Sequence, residues 1–250
     1  MTLQTTSHPN GSFRFLPAIS AYSAGFAASD GYEITALRLL DCPTLAIGFE
    51  RIDEEIKRRG LAPAALAGLQ LRSPGAFGFE EFAQFNDEYC QLLIERDLII
   101  DGVNPVSRTN VIPVHNGPAV PTIAVAFLVN PTLGRGGSDF VVAGAGEVNG
   151  DLGPENIVAR GDLSQKGLAL KVDCVLEIML KRLHALGASG GSPTTVNVYT
   201  AHEILGLPGM IEMKLPTVST NGYATWLAKP PVKEIEYEMD CASFTHWTVI

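Results

Sequence analysis

The chain has 250 residues, 46% hydrophobic and 18% charged, with 25 Gly and 16 Pro, which is enough for one large domain or two ordinary ones and excludes disorder and fibre. The formal net charge is −9 and no basic run occurs, which argues against a nucleic-acid surface. No stretch approaches the roughly 18 apolar residues of a membrane-spanning helix.

Met1 to His8 show neither a charged n-region nor an apolar h-region, so no signal peptide is expected and the chain reads as cytoplasmic. Residues 21–26 read as a strand containing the small residues Ser23, Ala24 and Gly25. Over 45–59, Leu45, Phe49, Ile52 and Ile56 recur at helical spacing, and Gly60 is a C-cap candidate. A short strand around Leu69 and Leu71 follows. A second helix begins at Phe79, with Phe82, Phe85, Tyr89 and Leu92 or Leu93 as its apolar stripe. Pro121 to Phe127 is a continuous apolar run, as in a buried strand. The Gly/Pro-rich stretch from Asn130 to Ser138 reads as a linker, dividing the chain into domains 1–130 and 131–250.

The second half repeats the pattern. A strand ends at Ala143 and Gly144. A helix over 168–186 carries Leu168, Val172, Val175, Met179 and Leu183, and Gly187 closes it. A strand over 195–200 and a broken helix after His202 come next. Residues 233–239 alternate Ile235, Tyr237 and Met239 with Glu236 and Glu238, as in a half-buried strand whose two glutamates share a face. Gly187 lies 127 residues after Gly60 (187 − 60), and the same offset sets Ile52 on Met179, Ile56 on Leu183, Leu69 on Val196 and Leu71 on Val198. Each half thus reads β-β-α-β-α-β, an α+β unit of ordinary domain size.

Standard motifs are missing. Cys42, Cys90, Cys174 and Cys241 form no CxxC and read as reduced, mostly buried thiols. The five histidines never pair at i+3 or i+4, so no zinc site has its spacing.

Residues 140–148, 159–189 and 195–203 together resemble the Rid (reactive intermediate deaminase) family. The marks are a strand ending in a small-residue turn, Gly161-Asp162, an early helical Gln165, a helix ending at Gly187-Ala188, and Tyr199-Thr200. In the first half, Asn86 to Tyr89 resembles the family's Asn-x-x-Tyr helix, and Pro105 to Val111 its Pro-Ala-Arg-Ser strand opening. The resemblance covers residues 15–245, and tandem chains of this kind are similar to bacterial deaminases of 2-aminomuconate and chloro-aminomuconate from nitroaromatic breakdown. It implies two tandem chorismate-mutase-like units, each a mixed sheet with two helices on one face. It also implies a homotrimer with clefts between units, and hydrolysis of enamine or imine carboxylates with no metal or organic cofactor. The expected partner is a small enamine or imine carboxylate, with no nucleic acid and no membrane.

Such chemistry needs a fork of donors for a carboxylate, an acid or base for water and protons, and backbone N–H groups from a tight turn. Arg108 matches the family's arginine and is the candidate fork; as a bland alternative it is a loop arginine after Pro105. Glu236 matches the first glutamate of the family's closing strand and is the candidate water-handling carboxylate, with Glu238 beside it. Both also read as solvated glutamates. Ser23, Gly25 and Gly144 match the ligand-contacting turns, or serve only backbone geometry. Asn86, His115, Trp226 and Lys229 are further candidates for substrate binding, each with an ordinary reading as cap, loop, core or solvated residue. Ala124 stands at the glutamate place of the first half, and the second half lacks the arginine, so neither half is complete by itself. A composite site, within one chain or across chains, is expected. The runner-up is a non-catalytic module that binds small carboxylates; ribonuclease activity is disfavoured by the charge.

Overall fold

The strand Ser107–Pro113 is where the two halves of the chain are joined. The structure is a computed structural model that describes residues 3–250. In chain order the elements are β1 (Thr6–Ser7), β2 (Phe13–Ile19), β3 (Tyr22–Ala28), β4 (Asp30–Arg38), α1 (Leu45–Arg58), β5 (Leu66–Arg72), α2 (Phe79–Ile94), β6 (Ser107–Pro113), β7 (Thr122–Gly136) and β8 (Phe140–Gly146). They continue with α3 (Gln165–Ala185), β9 (Thr195–Thr200), α4 (Leu207–Lys214), α5 (Val218–Asn221), β10 (Ala224–Lys229), β11 (Tyr237–Ser243) and β12 (His246–Val249). The strands form one mixed sheet in the order β1-β2-β3-β8-β11-β9-β10-β6-β5-β7-β4-β12. The start of β6 also meets β3 through Ser107 and Ser23, and its end meets β10 through Pro113 and Ala228. Strands β3, β8, β11, β9, β10 and β6 therefore close a ring, and residues of β6 face strands of both halves.

The helices form where local chemistry allows. Thr44 caps α1 by accepting the Ile47 N–H, Phe49, Ile52 and Ile56 bury one face, and Gly60 ends the helix at φ 69°. Ser164 caps α3 in the same way through the Gly167 N–H, and Gly187 ends it at φ 77°. Helices α1 and α2 cover β5 and β7, with Phe49, Leu69, Phe85 and Leu128 in the contact. Helices α3 and α4 cover β8, β9 and β11, with Val175, Met179, Val198 and Met239. A third cluster, including Phe13, Phe26, Ala36, Phe127 and Val141, fills the other face of the strands. Strand β7 is buried on both faces, which explains its unbroken apolar run: Ile123, Ala126 and Leu128 turn toward the helices, and Val125, Phe127 and Val129 away from them. The eight apolar positions matched by the 127-residue offset are all buried.

Several expectations need correcting. The presumed linker at 130–138 is largely the end of β7, which runs through Pro131 to Gly136. Beyond Leu128 this strand pairs with β4 alone, and such an edge tolerates proline. Only β8 stands between that strand and α3, so the second half lacks its second leading strand. The closing strand starts at Tyr237 rather than Lys233; residues 233–236 form a turn and an extended link, with Glu234 at φ 71°. It is paired by β8 and β9 and buried from Tyr237 to Ala242, so it is not half-exposed. All four cysteines are free, but Cys42 is exposed and Cys90 and Cys174 are only partly buried. Among the described residues no helix is long and apolar enough to cross a membrane.

Candidate active site

A cavity of about 370 Å³ opens where β3, β6, β8 and β11 converge beside α2 and α3. Its polar lining includes Tyr22, Arg108, Asn110, Gly144, Arg182 and Glu238, and its apolar walls include Ile19, Phe82, Ile178 and Ile235.

Arg108 projects from β6 and is buried. Its guanidinium carbon lies 4.6 Å from the Tyr22 ring centre, 4.8 Å from Tyr89, 5.3 Å from Phe85 and 5.6 Å from Phe82. Ring faces attract the cation and hold the fork in place without a protein carboxylate bonded to it. Nη2 donates to Asn86 Oδ1 at 2.6 Å, and Nη1 is buried with no protein partner among the described residues. Burial lowers the Arg108 pKa from the ordinary guanidinium value, against the opposing pull of Tyr89 and Tyr22. A buried donor without an acceptor is costly unless a ligand supplies one.

Glu238 projects from β11 and is also buried. It fits because residue 144 is glycine: a Cβ there would collide with Glu238 Oε1 and press within 3.0 Å of Thr109 Cγ2. Burial, then the charge of Asp240, pushes the Glu238 pKa well above the usual carboxylate range, while Arg182 and Arg108 oppose the shift. The carboxyl therefore keeps its proton to higher pH than an exposed glutamate. Behind it, Asp240 accepts from Gln70 at 3.1 Å, Thr109 at 3.0 Å, Asn197 at 2.7 Å and Tyr199 at 2.9 Å. The Thr109 hydroxyl accepts the Gly144 N–H at 2.9 Å, so Asp240 fixes the glycine wall through Thr109.

Two more groups complete the lining. Asn110 accepts from Ser73 through Oδ1, and its buried Nδ2 has no protein partner among the described residues. Arg182, on α3, donates through Nη1 to the carbonyls of Ala143 at 2.9 Å and Gly144 at 3.2 Å. Among the described residues no group of three or more His, Cys, Asp or Glu is placed to hold a metal ion.

The profile of the family described as 2-aminomuconate deaminase CnbZ matches residues 5–246. The chain belongs to that family. A 2-amino-5-chloromuconate deaminase of Comamonas testosteroni is 35% identical over 243 residues, which is 96% of each chain. Among solved structures, a chorismatase aligns with a TM-score of 0.50 and 12% identity, covering 96% of this chain and 79% of its own, a likeness of fold alone. A cyanuric acid hydrolase from A. caulinodans aligns at a TM-score of 0.40 with 13% identity, covering 88% of this chain and 69% of its own.

Of the residues that the sequence singles out in this family member, the cavity brings together Arg108, Glu238 and Gly144, with Asn86 behind Arg108. Arg108 comes from the first half and Glu238 from the second, so one chain holds both. Glu236 does not reach the cavity. Its Oε2 meets His202 Nε2 at 2.8 Å and Lys229 Nζ at 3.0 Å, and these hydrogen bonds outweigh its burial and lower its pKa. The expected shared face with Glu238 fails because Glu236 precedes the strand. Its N–H and that of Tyr237 are held by the Glu147 carboxylate at 2.8 and 3.0 Å. Strand pairing also moves the comparison with Ala124. Glu238 sits opposite Tyr199 as Thr122 sits opposite Arg72, so Thr122 is the first-half counterpart of Glu238.

Other candidates lie elsewhere. Ser23 is buried, with its hydroxyl on the Pro105 carbonyl at 2.9 Å, where it ties β3 to the start of β6. Gly25 permits close passage of β8, since a Cβ would lie 2.6 Å from the Val141 carbonyl oxygen. His115 is exposed in the loop after β6. Trp226 donates to Asn197 at 2.9 Å beside a separate cavity of about 130 Å³ that also contains Asp240. Sequence reasoning passed over Tyr22, Asn110 and Arg182. Only Arg182 carried a local signal: it lies three residues after Met179 and four before Leu186, a cation on an apolar helix stripe.

Proposed function

We propose that this chain hydrolyses a 2-aminomuconate-type enamine in the Arg108–Glu238 cavity, releasing ammonia and the 2-oxo acid. The observation that carries the reading is one cavity shared by a buried guanidinium, one of whose N–H groups has no partner among the described residues, and a buried carboxyl whose pKa that burial raises. The substrate carboxylate beside the amino-bearing carbon docks on Arg108 and supplies the acceptor that Nη1 lacks among the described residues. Glu238 gives its proton to the enamine carbon, which turns the C–N bond into an iminium. Water adds to the iminium carbon and Glu238 takes up the released proton. The same carboxyl then protonates nitrogen; ammonia leaves as the C–N bond of the carbinolamine breaks, and the Glu238 carboxylate takes the hydroxyl proton, which gives the ketone and restores the acid form. The Asn110 amide is a second free donor for the water or the leaving nitrogen.

The fold is proposed to be two copies of one Rid-like unit, joined between β7 and β8 rather than at residue 130, supported by the ungapped offset and its matched burial. Exposed Trp226 and Leu227 on β10 and Trp247 and Val249 on β12 support assembly of three chains. Light scattering is expected to give about 80 kDa, three times 26.7 kDa. A sharp single-chain mass at micromolar concentration contradicts the assembly.

Glu238→Gln is the direct test. Ligand binding should persist while kcat falls roughly 100- to 10,000-fold, because the amide cannot cycle the proton. A variant of full activity would remove Glu238 from the reaction, and a wild type that releases no ammonia would leave only a carboxylate-binding module. In wild type, the rate should decline as pH rises through the elevated Glu238 pKa, since the acid form is required. Stability follows the same sign. The folded-state pKa exceeds the unfolded one, so the folded chain binds more protons and loses stability as pH rises between the two values. Urea unfolding should show this loss in wild type and a flatter profile in Glu238→Gln.

A further inference from the structure

We infer that Arg182 is a second carboxylate anchor, which makes the cavity selective for dicarboxylates over monocarboxylates of the same length. This deepens the deaminase reading and rests on it for which end of the ligand reacts.

Arg182 is half-buried on the side of α3 that also carries buried Val175 and Met179 and, nearer the start of the helix, the buried Lys171, whose charge is matched by Glu147. A guanidinium in such a place is costly unless something balances it. Among the described residues it makes no salt bridge; its hydrogen bonds go to two backbone carbonyls, both through Nη1. Carbonyls orient the group but carry no full charge to match it, and among the described residues Nε and Nη2 have no protein acceptor. Glu238, which lines the same cavity, is buried, and that burial raises its pKa well above the usual carboxylate range. Asp151 also lines the cavity but is exposed.

The two arginines approach the same wall from different sides. Arg108 is adjacent to Thr109, which binds the Gly144 N–H, whereas Arg182 binds the Gly144 carbonyl. Glu238 rests against that glycine and feels both charges. The cavity thus offers two separate cations in a chain whose net charge is −9. A ligand with a single carboxylate leaves one of them unmatched; a flat conjugated diacid satisfies both, and its hydrocarbon middle suits walls such as Ile178 and Phe82.

Calorimetry with trans,trans-muconate and with sorbate tests the assignment, since sorbate keeps the carbon chain and double bonds but carries methyl for one carboxylate. Wild type is expected to bind muconate at least roughly 30-fold more tightly. Arg182→Met should erase that preference while leaving sorbate binding unchanged, and Arg182→Lys should restore part of it. Retained sorbate binding also shows that the variant is folded. Equal affinity of wild type for the two ligands overturns the inference, and this holds even if Arg182→Met fails to fold. Equal weakening of both ligands by Arg182→Met also overturns it, because Arg182 would then only hold the wall. Ammonia release separates the two readings. A wild type that prefers muconate yet releases no ammonia from 2-aminomuconate keeps the anchor and loses the deaminase. Equal turnover of monoacid and diacid enamines does the reverse.

Discussion

Arg108→Ala is expected to lower kcat/KM by roughly 30- to 1,000-fold, equivalent to about 2–4 kcal/mol. The guanidinium is buried in a box of Tyr22, Phe82, Phe85 and Tyr89, and its Nη1 has no protein partner among the described residues. Without it, a substrate carboxylate enters an apolar box with no charge to meet it and no fork to orient it. Arg108→Lys should rescue poorly. An ammonium lacks the planar stack on the rings and cannot serve Asn86 and a bidentate ligand together. Urea unfolding of both variants separates lost chemistry from lost fold. Because Arg108 and Glu238 line one cavity of one chain, mixing Arg108→Ala chains with Glu238→Gln chains should restore no activity. Full activity of Arg108→Ala would sink the clamp.

Lys171→Met is expected to destabilise the chain by about 3–5 kcal/mol, as is usual when one partner of a buried ion pair is removed. Lys171 and Glu147 are both fully shielded from solvent. Lys171 Nζ lies 3.0 Å from Glu147 Oε1 and 3.0 Å from the Val158 carbonyl oxygen. Glu147 uses its remaining capacity on the N–H groups of Glu236 and Tyr237, where β11 begins. Methionine fills similar volume but leaves a buried carboxylate without its cation. The denaturant midpoint should drop with little change in slope. Adding Glu147→Gln should recover part of the loss, because the amide oxygen still accepts a backbone N–H and carries no charge. An unchanged midpoint in Lys171→Met would show that the pair contributes nothing. The same contact sets where β11 starts, so a shift of Glu238 should accompany the loss and lower kcat in any population that remains folded.

What could be read from the residues alone was local. Helices α1, α2 and α3 follow from apolar spacing, and the ends of α1 and α3 from Gly60 and Gly187, because helix formation depends on neighbours three and four residues away. The 127-residue offset was legible because it repeats these local signals. Arg108 was found through its likeness to a family motif, and its place on β6 agrees with that reading. The fate of β11 was not local. Alternation of glutamate with apolar residues is the pattern of a half-solvated strand, yet β8 and β9 enclose this one and its acids turn inward. No periodicity shows that, since the residue types are the same whether a carboxyl faces water or a cavity. The turn that separates Glu236 from Glu238 depends on Glu147, far away in sequence. Arg182 was visible as a cation on an apolar stripe, but which cavity it lines was decided only when β8 packed on α3. Sheet order then set Gly144, Thr109 and Glu238 against one another, and with them the chemistry that one shared cavity can support.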